Sequence, residues 1–221
     1  MDRVEPPRRA WRGSAHGWLL TAGAALTAAA VLLLALLPRA PSEAEALVGW
    51  VSESRSLLVW SDELLFFAVV CFGAGARGAF RSGRTRRSIR INVGLEAFGV
   101  ALVSLLVLLL VVGRLVYPVF GIELSAEVVA MLVSAAFGSL HLALLGFAVA
   151  AVALTWSAGN GRGGWLVSIV GIVMGAVFAA GSFPWLTPMW WNVLVAIVLA
   201  VWGAMIGLVV PFRHGPEPGA G

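Results

Sequence analysis

Three histidines, one cysteine and a few carboxylates are the residues best equipped for chemistry in this chain, and their positions keep them apart. His16, His141 and His214 fall in different segments, with no HExxH pair and no Cys/His spacing suited to zinc, so no metal ligation is expected. Cys71 sits inside an apolar run, where a small buried hydrophobe is the simpler reading, and without a second cysteine no intrachain disulfide forms. Ser139 and His141 are close in sequence, but side chains two apart on a helix point to different faces, so the pair is not a dyad by itself. His141 is the ionisable residue that hydropathy places near mid-membrane, which makes it a functional candidate by default. Its structural alternative is a neutral imidazole satisfied by a carbonyl or hydroxyl on a neighbouring helix. All fifteen basic residues are arginine, and a Walker A loop needs a lysine. The chain is therefore not expected to hydrolyse ATP by that route, to act as an enzyme, or to hold a cofactor.

The elements that carry these residues are set by composition. Of 221 residues 60% are hydrophobic and only 12% charged, where a soluble domain has about a quarter charged. An all-α integral membrane protein is expected, with the lipid bilayer as its first partner. The net charge of +4 suggests no nucleic acid, because the arginines concentrate in loops, as membrane insertion requires. Six of them, Arg77, Arg81, Arg84, Arg86, Arg87 and Arg90, fall within one short connection between two apolar runs, and short basic loops stay in the cytoplasm.

Six spans follow from hydropathy: about 18–37, 57–79, 91–112, 128–154, 165–183 and 189–210, within a membrane domain of 18–210. Residues 1–17 and 211–221 are expected to be disordered cytoplasmic tails, the first basic and the second rich in Gly and Pro. The apolar run after the N-terminal tail exceeds a signal h-region and lacks a good cleavage site, so a membrane span is preferred to a signal peptide. In this topology twelve arginines lie inside and three outside, and tryptophans fall at both interfaces. The 38–56 loop is external; Leu47, Trp50, Val51 and Leu58 would share one face of a short interfacial helix there, an ordinary solvated loop being the alternative.

Asp62 and Glu63 fall near the start of the second span, whose onset is open between residues 57 and 64, and are placed at the membrane edge. Glu96 lies just inside the third span, close enough to Arg90 and Arg87 to snorkel toward the basic loop. Gly171 with Gly175, and Gly203 with Gly207, make small-residue stripes on the last two spans, for which each other, another helix and another subunit are the open packing partners.

The order of elements resembles the permease subunit of an ABC-2-type transporter, the membrane half of a bacterial exporter whose ATPase is a separate polypeptide. The residues that carry the likeness are the 77–90 connection after the second span and the small-residue-rich HLALLGFAVAAVALTW from His141. With them go the Gly/Arg turn 157–164 and Trp185-Leu186-Thr187-Pro188 near the outer face. The likeness is one of pattern. The arginines and Gly83 stand where many such permeases carry a Glu-containing segment, and a short Pro/Arg tail replaces their N-terminal amphipathic helix. The resemblance implies a multi-pass protein of the bacterial plasma (inner) membrane and a cytosolic ABC ATPase docking on the arginine connection. It also implies a homo- or heterodimer of permease chains. The alternative is a non-transporting membrane scaffold or accessory protein.

Overall fold

The computed structural model describes residues 15–81, 89–158 and 164–209, and these are helical with no strand among them. The helices are α1 (Ala15–Ala35), α2 (Ala44–Glu53), α3 (Arg55–Arg81), α4 (Ile89–Val116), α5 (Ala126–Ala158), α6 (Gly164–Gly181) and α7 (Met189–Ala204), the last running into a π-helical turn, Met205–Val209. Five segments are long and apolar enough to cross a membrane: Ala15–Ala35, Arg55–Arg77, Ile89–Val116, Ala126–Trp156 and Met189–Leu208. The sixth apolar segment, Trp165–Gly181, is shorter. The chain is a helical multi-pass membrane protein.

Several helices overrun the apolar runs that predicted them. The third span was expected to stop at residue 112, yet α4 continues through Arg114 to Val116, and the Tyr117 amide still donates to the Gly113 carbonyl at 2.8 Å. Hydropathy marks where lipid contact ends, whereas the backbone ladder runs on until a turn breaks it. That turn follows at Phe120 and Gly121, both with positive φ. A short helix does form in the 38–56 loop: α2 buries Leu47, Trp50 and Val51, while Leu58, expected on the same face, is buried from α3 instead, because the chain turns at Ser54. α2 bends away from α3 there and packs on α5 as well as α3. Residues 1–14 and 210–221, which take in most of the first expected tail and all of the second, lie outside the described residues.

The apolar helices alternate in direction around a ring whose neighbours are α1–α3, α3–α4, α4–α5, α5–α6 and α7–α1. Adjacent in sequence, α6 and α7 touch each other far less than α6 touches α5 or α7 touches α1. In the middle of the ring, α3 to α7 each contribute one aromatic ring: Phe72, Phe98, Phe147, Phe178 and Trp202, all buried. Phe72 meets Phe98 edge-on at 5.3 Å between centroids, and Trp202 lies 5.8 Å from Phe147 and 6.2 Å from Phe178. Edge-to-face pairs of this kind add about 0.5–1.5 kcal/mol each beyond area burial. α1 supplies no ring; Gly23 opens the space Phe72 occupies.

Candidate functional site

A difference in helix length creates the site. α6 is about 27 Å long and α5 about 50 Å, so the pair ends together at one end of the bundle only. They are matched at the end where the arginine connection lies: Gly171 rests on Thr155 and Ala151, and Gly175 on Val152 and Ala148. At the other end, the α2 end, the turn after α6 meets α5 at His141 and, one helical turn farther on, at Phe137. The His141 Nδ1 lies 2.9 Å from the Ser182 carbonyl oxygen, and because a carbonyl only accepts, Nδ1 carries the hydrogen. The ring also packs 4.7 Å from Phe183 and 6.1 Å from Trp185. Pro184 forbids a further helical turn, and the Ser182 hydroxyl donates to the Ala179 carbonyl at 2.8 Å. About 16 Å of α5 then runs on past Phe137, where the hairpin tip ends, without α6 beside it.

A cavity of about 730 Å³ fills this recess. Its walls are aliphatic, with Val31 and Leu34 from α1, Leu108 and Val112 from α4, and Val133 and Leu140 from α5. Leu144 and Val195 line it nearest the central aromatic rings. Trp50 of α2 and the 38–40 segment cover the top, held together by the Trp50 indole N–H donating to the Pro38 carbonyl at 2.9 Å. The hairpin tip flanks another side, where Trp185 meets Phe137 edge-on at 6.0 Å, and the chamber stays partly open. Polar side chains are few: Arg39 carries the one formal charge among the described lining residues, and the Thr187 hydroxyl donates to Asn192 Oδ1 at 2.8 Å. An apolar chamber of this size with a few convergent polar groups suits one small molecule of largely apolar character.

The residues singled out from the sequence fall elsewhere. His141 sits behind the hairpin tip rather than in the cavity lining, and holds the tip in place. Asp62 is buried against Gly113 of α4, and one of its carboxylate oxygens has no partner among the described residues. Glu63 is exposed and accepts the Tyr117 phenol proton at 2.7 Å, which holds Tyr117 above the ordinary phenol range. Glu96 is exposed on α4. Arg77 is exposed near the end of α3, Arg81 closes that helix, and Arg90 places its guanidinium 5.3 Å from the Trp156 ring centroid. Arg84, Arg86 and Arg87 lie outside the described residues. Gly203 abuts Ala24, and Gly207 abuts Gly17 and Thr21, so this stripe joins α7 to α1 while the Gly171 stripe joins α6 to α5.

Arg39, Trp50, Thr187 and Asn192 were not read as one site, because they come from three separate segments and share no spacing. From the sequence, Trp50 was assigned to the apolar face of a short helix and Thr187 to the Trp185–Pro188 turn, with nothing to join the two. Among the described residues no group of three or more His, Cys, Asp or Glu is placed to hold a metal. No family model, no curated protein and no solved structure matches the chain.

Proposed function

We propose that the chain is the membrane-spanning permease subunit of an ATP-driven exporter of the ABC-2 type, working with a separate cytosolic ATPase. In this reading all six apolar helices span, the short α6 included, and both termini and the arginine connection face the cytoplasm. The observation that carries the proposal is the cavity: a half-open apolar chamber at the α2 end, partly covered by α2 and lying beyond the central aromatic rings, which in this reading is the external side. A chamber accessible from one side and blocked on the other is what a permease needs in one of its two states. Arg77 and Arg90 flank the cytoplasmic connection and are exposed, placing cations where a partner with acidic groups would dock. In the competing reading, a scaffold whose helices serve assembly, small-residue stripes would be free to recruit other subunits. Here both stripes are occupied within the chain.

Purification in mild detergent tests the proposal. An ATP-binding protein is expected to accompany the chain, and reversing charge at Arg84, Arg86 and Arg87 together is expected to lower the complex's ATPase rate about tenfold. Absence of such a protein from the purified assembly, or an unchanged rate in the triple variant, would remove the transporter reading.

A further inference from the structure

The cavity also specifies the class of molecule it takes. Its walls offer nothing polar over most of their area, so the occupant's larger part is a hydrocarbon chain. The groups available to a polar end are donors. Arg39 presents a guanidinium, and Asn192, whose Oδ1 already accepts from Thr187, has its amide N–H groups left to donate. The Trp50 indole N–H is taken by the Pro38 carbonyl, and no carboxylate lines the chamber among the described residues. A cationic head would find no counter-charge here, and a sugar would find too few acceptors for its hydroxyl hydrogens. We infer that the cavity binds a single-chain anionic amphiphile, its tail between α1, α4 and α5 and its carboxylate or phosphate head at Arg39 and Asn192. The external placement of this site rests on the permease reading; the binding itself does not.

Lipid tails are as apolar as the cavity walls, so moving a tail from bilayer to cavity is close to neutral, and selectivity must come from the head. This makes the inference testable with the chain alone, in nanodiscs of zwitterionic phosphatidylcholine and without any ATPase. The probes are a dodecyl phosphate bearing a diazirine at its chain end and the alcohol of the same chain. On photolysis the phosphate probe is expected to label residues within 108–115 and 133–144, about tenfold more than the alcohol does. Arg39→Gln, a change at an exposed position, is expected to reduce phosphate labelling to the alcohol's level, and Ala136→Trp, which fills the chamber, to reduce labelling by both probes. Competition by unlabelled laurate or by dodecyl phosphate distinguishes a carboxylate from a phosphate head. Equal labelling by phosphate and alcohol, labelling confined to lipid-facing positions, or indifference to Arg39→Gln would each overturn the inference. If labelling follows the expected pattern but no ATPase accompanies the chain, the amphiphile site stands and the transporter reading falls. The reverse result removes the site and leaves the transporter.

Discussion

Tyr117 is the only tyrosine in the chain, and its hydroxyl donates to Glu63 between the end of α4 and the first turns of α3. A carboxylate that accepts the phenol proton favours the protonated form, so the folded value lies above the unfolded value of about 10. The contribution to folding is complete below the ordinary phenol value and is lost as pH rises through the raised one. Because no other phenol absorbs, the phenolate band reports this group alone. Its midpoint is expected above 10 in the native protein and nearer 10 in Glu63→Ala; coincident midpoints would show that the contact does not form. Glu63 was legible in the sequence as a carboxylate near a membrane edge, but its partner was not, since Tyr117 is reached only through the antiparallel pairing of α3 with α4. His141 is a similar case. Its type and depth marked it for attention, while its role as the anchor of the hairpin tip depends on where α6 ends.

At the level of elements, the glycine stripes show what small residues accomplish where hydrophobic burial gives helices no reason to associate. A Cβ at Gly171 would overlap Thr155, and one at Gly203 would overlap Ala24. At Gly99 and Gly138 it would meet nothing within 4 Å. Gly171→Leu and Gly203→Leu are therefore expected to destabilise the protein by about 1–3 kcal/mol, whereas Gly99→Ala and Gly138→Ala change stability by a few tenths at most. Thermal unfolding in a fixed detergent checks the contrast; equal shifts in both sets would mean that the stripes are not the contacts described. The sequence displayed both stripes, since GxxxG spacing is a local pattern. Which helix each one met was not local. The sequence left the partner of each stripe open, and the residues facing Gly171 and Gly203 lie on α5 and α1, so each helix of the hairpin packs chiefly on a different neighbour.

For the whole molecule, orientation has direct consequences. With Cys71 replaced by alanine, Phe120→Cys, in the exposed turn between α4 and α5, is expected to react with a membrane-impermeant maleimide on intact cells. Thr85→Cys, in the arginine connection, is expected to react only after lysis. The opposite pattern would invert the map and place the cavity on the cytoplasmic side. What the amino-acid order determined by itself was the presence and rough extent of the apolar helices and the uneven distribution of arginine. Both are properties of short windows, set by side-chain transfer between water and lipid without reference to any other part of the chain. The cavity was decided only by tertiary structure. It exists because a short α6 is matched to a long α5 at one end, α2 folds back over the gap, and Arg39, Trp50 and Asn192 converge from distant segments. Such a space is a difference between packed lengths, and no stretch of sequence contains it until every helix has found its neighbour.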